Sequence, residues 1–508
     1  MLTQYKKFLI AILSISVVFG FISCKKNFLD RTPLGQYTTT NYPYPTGGGP
    51  YDQYIYAAYA NLKDWQVSVF AFVGAVSIRS DDADKGSTPA DAADQIAMDN
   101  FTLNPSIGEC NDLWTGYYSV IGKSNVVLDR TSKDSAANVT PIDVRTQSNA
   151  EARFIRGYAY FMLVRLFGNV PLVAKVFTDL AAQSNIPQSN PAQIYPFIEN
   201  DLQYAAAHLS AKWSSKFIGR ATSGAANGLL AKVYLYEKKW GSALAAAQSV
   251  INAGNYDLNT PYNKIFTEEG ENSSESLFEL QAYADANHQA DGAYGCQYAN
   301  VQGVRGTGQF DLGWGFNVPS DQLVSAYEQG DPRMQSTVLE CPSLAPTMYG
   351  ESFPAEPNPR YNKKVYTNPA VRNSVGNRYG WWMNVRILRY ADVILMDAEA
   401  ANEMGNTSEA LQKLEMVRAR ARAGNNTILP PVTTTDQGQL RTAIQHERRI
   451  ELAMEHERFF DLVRWNLAAT ALHAAGKSNY ASGRDELLPI PQPQIDLSKG
   501  VLKQNPGY

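Results

Sequence analysis

The sequence is poor in the residues that bind metals and form disulfides: its 508 residues include four cysteines and five histidines. Cys110, Cys296 and Cys341 lie far apart and form no CxxC pair, so the sequence indicates neither a cysteine metal site nor a disulfide framework. At most one disulfide can form among these three residues. His446 and His456 each precede a glutamate, but neither is followed four residues later by the second histidine of a zinc-protease helix. We expect no bound metal and no cofactor.

An excess of positive charge is also absent. The 45 lysines and arginines against 49 aspartates and glutamates give a net charge of −4, which argues against a nucleic-acid partner. The glycine-rich run GVRGTG at 303–308 lacks the lysine and the strand-to-helix setting of a phosphate-binding loop. No Gly-x-Ser-x-Gly nucleophile elbow occurs, and no carboxylate pair stands out for glycoside hydrolysis. These absences favour a binding protein over an enzyme.

Long apolar runs are missing except at the start of the chain. Lys6 and Lys7 precede an uncharged, mainly apolar run at 8–22. This run is shorter than the roughly 20 residues that span a membrane as a helix. A basic start followed by a short apolar stretch therefore predicts a signal peptide over 1–23 rather than a transmembrane anchor.

A cysteine directly follows that apolar run. Ser23 and Cys24 together look like a bacterial lipobox, with Phe21 in place of the usual leucine, and predict a lipid on Cys24. Acyl chains contribute about 0.8 kcal/mol per buried methylene, so a multiply acylated cysteine holds a protein on a membrane. Residues 24–50, which are rich in proline and glycine, are predicted to be a lipid-anchored tether.

Helical periodicity covers most of the chain after residue 50. Two segments, 221–254 and 391–420, show small residues at the spacing of tetratricopeptide-like helical hairpins, in which paired helices stack on one another. A third long helix is expected over about 150–167, and the chain is expected to return to helix over about 436–475. We therefore expect 51–508 to form one mainly α domain with little β structure.

A loop-rich insert interrupts this helical pattern at about 255–385. Proline, glycine, asparagine and tyrosine are dense there, with one short strand predicted over Ser276–Leu280. An insert of this length without regular helices is uncommon unless it has a function. We expect the ligand-binding surface here.

Several motifs, in order along the chain, resemble one family. They are CKKNFLD at 24–30, ARFIRGYAY at 152–160, LFGNVPL at 166–172, LRYADVILM at 388–396, ERRIEL at 447–452, RFFDLVRW at 458–465, LLPIP at 487–491 and QNPGY at 504–508. By this series the chain resembles the SusD/RagB family over nearly the whole mature sequence.

The resemblance implies a fold of four tetratricopeptide-like helix pairs, an outer-membrane location and a SusC-like TonB-dependent transporter as partner. It implies capture of a glycan or another nutrient at the cell surface and delivery to that transporter. Lys25 and Lys26 depart from the acidic residues that often follow the cysteine in surface-exposed members. The sequence is therefore compatible with a lipid anchor in either the surface or the periplasmic leaflet of the outer membrane.

Trp314 is the leading candidate for ligand contact. It stands between two glycines in the loop-rich insert, where a regular helix core is excluded, and a flat ring on a loop suits the apolar face of a pyranose. The alternative is a loop anchor that plugs a surface cleft. Further aromatic candidates, for each of which core packing is an equal alternative, are Tyr283, Tyr294, Tyr298, Trp381 and Trp382.

A polar stretch at 79–100 offers a second set of candidates. Family glycan binders place ligand groups in this early loop, so the resemblance implies that Arg79, Asp81 and Asp82 bind sugar hydroxyls. Calcium, which needs six to eight oxygen ligands, and a merely solvated loop are the alternatives.

Charged residues also recur at helical spacing near the C-terminus. Asp461 and Arg464, like Arg448 and Glu451 or Arg458 and Asp461, are three residues apart. We interpret this constellation, with Arg389, Asp392 and Arg449, as a structural ion-pair network rather than a catalytic site.

The sequence thus predicts a non-enzymatic glycan-binding lipoprotein of the outer membrane. A helical scaffold that braces a transporter without binding glycan itself is the alternative.

Overall fold

The computed structural model describes residues 49–137, 142–177, 179, 182 and 185–508. The predicted signal peptide at 1–23, the lipid on Cys24 and all but the last two residues of the tether lie outside the described residues. Residues from Tyr51 to Tyr508 form one compact unit.

The unit is mainly helical, as predicted. The helices are α1 Asp52–Leu62, α2 Trp65–Ser68, α3 Phe70–Val73, α4 Ala93–Asn100, α5 Gly108–Ala137, α6 Ile142–Phe167, α7 Pro191–His208, α8 Ser223–Tyr236, α9 Trp240–Asn252, α10 Tyr262–Ile265, α11 Tyr298–Gln302, α12 Asp321–Ala326, α13 Pro332–Thr337, α14 Pro369–Val375, α15 Tyr390–Glu403, α16 Thr407–Arg422, α17 Gln437–Glu451, α18 Arg458–Arg464, α19 Ala468–Ala474 and α20 Gln492–Leu497. A π-helical turn, Gly74–Ile78, continues α3.

The long helices pack side by side in an extended series. Helix α1 packs on α5, α5 on α6, α6 on α7 and α7 on α8, while α9 packs on α15 and α15 on both α16 and α17. The predicted hairpins at 221–254 and 391–420 are confirmed as α8/α9 and α15/α16. In α8, a Cβ on Gly228 would lie 2.8 Å from a methyl group of Leu277 and 2.9 Å from one of Leu388, so side chains from two paired strands pack directly on this glycine.

The strands are short and pair two by two, all antiparallel. They are β1 Ala83–Gly86 with β5 Phe316–Pro319, β2 Val170–Pro171 with β3 Gln188–Ser189, β4 Ser276–Leu280 with β8 Val385–Arg389, and β6 Val338–Glu340 with β7 Arg360–Asn362. The strand predicted over Ser276–Leu280 is therefore confirmed. The region 79–100, predicted to be a loop, contributes β1 and α4.

The helical structure predicted over about 436–475 is confirmed, and it is divided into the three helices α17, α18 and α19. The breaks coincide with residues of positive φ: Met454 at 64°, His456 at 70° and Asn466 at 58°. L-residues with side chains rarely adopt this conformation, and none of the three is a glycine that would mark a turn. The apolar periodicity of the sequence therefore runs across the turns without indicating where each helix ends.

The predicted ion-pair network is confirmed, but most of its pairs are long-range. Arg448 bonds Asp392 at 2.8 Å and Asp461 at 3.2 Å, and Asp461 bonds Arg464 at 2.7 Å. Arg389 binds Glu451 at 3.2 Å. Of these four pairs, Asp461–Arg464 alone uses the helical spacing, and the others tie α15, α17, α18 and β8 to one another.

The three described cysteines are free thiols, each buried in a different part of the molecule. Cys110 lies in the main helical core, Cys296 at the edge of that core beside Lys63, and Cys341 in a separate small core under β6 and β7. None of the described helices is both long and apolar enough to cross a bilayer.

Candidate ligand-binding site

Three aromatic side chains meet at the surface where the loop-rich insert contacts the N-terminal helices. Trp314 lies edge-on to Trp65, with ring centroids 5.7 Å apart, and to Phe70 at 6.1 Å. Trp65 and Phe70 stack on each other at 5.3 Å. Trp314 is 38% exposed and the other two are half-buried. We call Trp65, Phe70 and Trp314 the aromatic platform.

The backbone that carries Trp314 is held on both sides. Its N–H donates to the carbonyl of Asn300 at 2.8 Å, and the N–H of Gly315 donates to Gly303 at 2.9 Å. A Cβ on Gly313 would lie 2.3 Å from the Asn300 carbonyl oxygen, so only glycine permits this approach. Gly315 has a φ of +74°, which also favours glycine. The ring therefore projects from a fixed position.

A polar cluster flanks the platform through Phe316, whose ring lies 4.9 Å from Phe70. Lys85 lies 5.4 Å from the Phe316 centroid and bonds Asp91 at 2.8 Å. Arg305 bonds the other oxygen of Asp91 at 2.8 Å. Burial raises the pKa of Asp91, but hydrogen bonds from Lys85, Ser87 and Thr88 outweigh it and lower that pKa to about 2. Asp91 and Arg305 are partly exposed and offer one acceptor and several donors beside the rings.

A buried carboxyl supports the other side of the platform. The Gln95 amide donates to the carbonyl of Phe70 at 3.0 Å and to Glu109 at 2.7 Å. Burial raises the pKa of Glu109 to about 8, with Asp94 and Asp112 adding to the shift and the Gln95 hydrogen bond opposing it. Glu109 is therefore mostly protonated at neutral pH and holds the segment under Phe70 as a neutral acid.

The residues 283–295, here named the tyrosine loop, dock on Lys63. Lys63 donates from Nζ to the carbonyls of Ala293 at 2.9 Å and Tyr294 at 2.6 Å. The rings of Tyr294 and Tyr283 are 46% and 53% exposed. Lys63 therefore ties the loop, with its two exposed rings, to the end of α1.

The other predicted aromatic residues lie deeper. Trp381 is half-buried, and its carbonyl accepts from the N–H of Cys296 at 2.9 Å, directly after the tyrosine loop. Trp382 is buried and donates to Glu268 at 3.0 Å. The Tyr298 hydroxyl lies 2.5 Å from Nε2 of the buried His456. These contacts place Trp382 and Tyr298 in the packing beneath the surface.

Arg79, Asp81 and Asp82 do not join the aromatic platform. Arg79 is fully buried, donates to the carbonyl of Asp485 and lies 4.3 Å from the Phe459 ring centroid. Asp81 is held by Arg458 at 2.8 Å and Asp82 by Arg449 at 2.7 Å. All three side chains are committed to interior contacts, so their placement gives no support to a ligand role.

Among the described residues, no group of three or more Cys, His, Asp or Glu side chains is arranged to hold a metal ion. Two family models match successive parts of the chain. "Starch-binding associating with outer membrane" matches residues 72–235 and "SusD family" matches residues 274–508. The chain belongs to the SusD/RagB family.

Individual SusD-like proteins are similar over most of their length. The chain is 29% identical to SusD-like protein P2 of Formosa agariphila, over 81% of this chain and 83% of that protein. It is 28% identical to a SusD-like protein of Bacteroides ovatus, over 88% and 80% respectively. A solved structure titled "Laminarin binding SusD-like protein" superposes with a TM-score of 0.76 at 28% identity, covering 92% of this chain and all of that one.

Trp65 and Phe70 are the members of the aromatic platform that sequence reasoning missed. Both lie in a segment whose helical periodicity predicts ordinary core positions, and only the fold brings that segment against Trp314. At Val69, between the two rings, a φ of −115° and a ψ of −112° break the helix. No glycine or proline lies at this break, so the sequence does not indicate it.

Proposed function

We propose that this protein is a lipid-anchored, glycan-binding protein of the outer membrane. In this proposal the aromatic platform captures an oligosaccharide or polysaccharide, and a SusC-like TonB-dependent transporter receives it. No chemical step is involved. The family description, starch binding in association with the outer membrane, supports the ligand class and the location.

The observation that carries the proposal is the aromatic platform itself. Trp65, Phe70 and Trp314 present a broad apolar surface on backbone that is fixed before any ligand arrives. A pyranose ring has an apolar face of C–H groups, and aromatic rings match that face at a low cost in side-chain entropy. Asp91 and Arg305, at the edge, can bond sugar hydroxyls.

Preorganisation is the reason that such a platform can bind without enclosing its ligand. Part of the free-energy cost of binding is the ordering of side chains and loops. Here the glycines around Trp314, the stacking of Trp65 on Phe70 and the docking of the tyrosine loop on Lys63 meet that cost during folding. Several weak contacts along one polymer then add through effective concentration.

Laminarin is the first ligand to test, because a similar protein of solved structure is described as laminarin-binding. Isothermal titration calorimetry with laminarin should show binding by the wild type and a loss of up to roughly tenfold for Trp314→Ala, since one stacked ring contributes up to about 1.5 kcal/mol. Trp240→Ala, at the first residue of α9, is the matched control and should bind normally.

Two results would overturn the proposal. If the wild type binds neither laminarin nor any of a panel of storage and cell-wall polysaccharides, but co-purifies with a membrane barrel, the protein is a scaffold instead. If Trp314→Ala and Trp65→Ala both bind as tightly as the wild type, the platform is not the site. Lipidation is tested separately by incorporation of a palmitate analogue, which Cys24→Ser should abolish.

A further inference from the structure

We propose a second carbohydrate site, a concave pocket around Trp213 that takes a single neutral sugar ring or a disaccharide. This inference rests on the proposed glycan-binding function and adds a subsite separate in residues from the aromatic platform. The Trp213 pocket has a volume of about 340 Å³. Its walls are the segment before α8, the loop after α9 and the loop before β4, and the residues used below are Trp213, Arg220, Tyr256, Asn255, Asn272 and Ser273.

Trp213 forms a fixed aromatic wall of this pocket. Its indole N–H donates to the carbonyl of Ala221 at 2.9 Å, which orients the ring. The guanidinium of Arg220 lies 4.5 Å from the ring centroid, so the two planar groups support each other. Trp213 is only half-buried, and it lines the cavity. A half-buried indole on a cavity wall provides the stacking surface that sugar rings use.

The floor of the pocket is also preformed. A Cβ on Gly224 would lie 2.5 Å from the hydroxyl end of the Tyr256 ring, so the glycine lets this tyrosine approach the start of α8 closely. The Tyr256 hydroxyl lies 2.8 Å from the Thr222 hydroxyl, and the pair presents both a donor and an acceptor. Asn272 has a positive φ of 53° and bonds Gln281 through both amide atoms at 2.9 Å, which fixes the opposite wall.

Hydrogen-bonding groups in the pocket are left open. Within the described part of the chain, the side chains of Asn255 and Ser273 form no hydrogen bond, and both line the cavity. Nη1 of Arg220 is buried without a partner, on a side chain that is only 4% exposed. The open side chains of Asn255 and Ser273 can therefore bond ligand hydroxyls without breaking an existing hydrogen bond.

The charged side chains inside the pocket already have polar partners, which points to a neutral ligand. Arg220 bonds Glu151 at 2.6 Å and Asp52 at 3.2 Å. Glu279, at the inner end, accepts from the N–H of Asn272 at 3.1 Å and from Asn384 at 2.9 Å. Lys212 is exposed and stands at the rim rather than inside. An aromatic wall with amide and hydroxyl groups and partnered inner charges therefore suits a neutral hexose or pentose.

The pocket and the platform differ in the length of carbohydrate that each can bind. Cavities that enclose small ligands begin at about 300 Å³, so this one admits a short ligand rather than a polymer running through it. The platform is open on the surface and can contact a long chain. The Trp213 pocket would then bind a chain end or a short oligosaccharide.

Fluorine NMR of protein labelled with 5-fluorotryptophan tests this site directly, because the chain has eight tryptophans. The Trp213 resonance is assigned by its absence in Trp213→Phe. Glucose, galactose, mannose, xylose and laminaribiose are titrated in turn. We expect at least one to shift the Trp213 resonance in the wild type and equally in Trp314→Ala, in which the platform is impaired.

A second variant tests the pocket without altering Trp213. Ser273→Val removes a hydroxyl and adds volume inside the cavity, and should weaken the response of Trp213 by roughly tenfold, the effect of about 1.4 kcal/mol. Ser249→Ala, an exposed serine on α9, should leave it unchanged. Thermal melting of each variant confirms folding.

The outcomes separate the two proposals. A Trp213 resonance that none of these sugars moves, in a protein that still binds laminarin through Trp314, overturns the second site and leaves the proposed function intact. A response that Ser273→Val does not weaken also overturns the site. If no tryptophan resonance responds to any sugar or to laminarin, the proposed function itself fails.

Discussion

Trp314 and Trp65 lie edge to face with their ring centroids 5.7 Å apart, although nearly half of the chain separates them. The contact joins the loop-rich insert to the first helices, and it depends on backbone approaches that exclude side chains. The exposed rings are therefore part of the packed structure rather than loosely attached to it.

Gly313→Ala should weaken glycan binding while the fold is retained. The new Cβ would lie 2.3 Å from the Asn300 carbonyl and 2.8 Å from the Gly303 Cα, so the Trp314 loop must shift, at a cost of about 1 to 3 kcal/mol in unfolding free energy. Calorimetry with laminarin and urea unfolding measure the two effects.

Gly122→Ala is the matched control for that substitution. Gly122 lies in α5, and no atom lies within 4 Å of the place that an alanine Cβ would take there, while alanine favours helix by up to about 1 kcal/mol. It should bind glycan normally and unfold at equal or higher urea. Equal binding by Gly313→Ala and the wild type would contradict a fixed Trp314.

Glu109→Gln should remove a specific pH dependence of stability. The pKa of Glu109 is about 8 in the folded protein against 4.5 for an unperturbed glutamate. A raised pKa means that the folded state favours the protonated form, so this contribution to stability is complete below pH 4.5 and is lost as pH rises through 8. The loss is about 3 to 5 kcal/mol.

The measurement is urea unfolding of wild type and Glu109→Gln at several pH values from 5 to 9. The variant keeps a neutral hydrogen-bonding group, so its stability relative to the wild type should increase with pH across this range. Parallel stability curves would show that Glu109 is ionised in the folded protein at neutral pH. Glycan binding should change little at pH 6, where both side chains are neutral.

Asp81→Ala should destabilise the protein by about 3 to 5 kcal/mol, because it leaves the nearly buried Arg458 without its bidentate partner. The control is Glu269→Ala, which breaks the exposed pair with Lys264 and should cost at most about 1 kcal/mol. Both are measured by urea unfolding. A difference below the error of the method would contradict a structural role for Asp81, and a large loss of glycan binding in a well-folded Asp81→Ala would restore the ligand role predicted from the sequence.

Local patterns account for what the sequence predicted well. The small residues of α8/α9 and α15/α16 lie three and four apart, so periodicity alone identifies these hairpins, and the short apolar run within the loop-rich insert identifies β4. The candidate Trp314 is exposed because its flanking glycines exclude a helix, which is also a local property.

Long-range pairing accounts for what the sequence could not predict. Arg79, Asp81 and Asp82 have the composition of a solvated loop, and only the distant Arg449 and Arg458 allow the two carboxylates to be buried. The spacing of Trp65 in the sequence is that of a core residue, and only the folded structure shows that it contacts the loop-rich insert. Contacts between distant segments decide both cases, and a single sequence contains no signal for them.

The three buried thiols allow local opening of the protein to be measured by chemical labelling. A thiol must become accessible and ionise before a labelling reagent reacts with it, and burial raises the pKa of Cys296 to about 11 and that of Cys341 to about 12. The rates at which Cys110, Cys296 and Cys341 are modified would therefore report how often the helical core, the base of the tyrosine loop and the small core beneath β6 open locally. The same rates, measured with a bound polysaccharide, would show whether the ligand suppresses opening only in the region that it contacts.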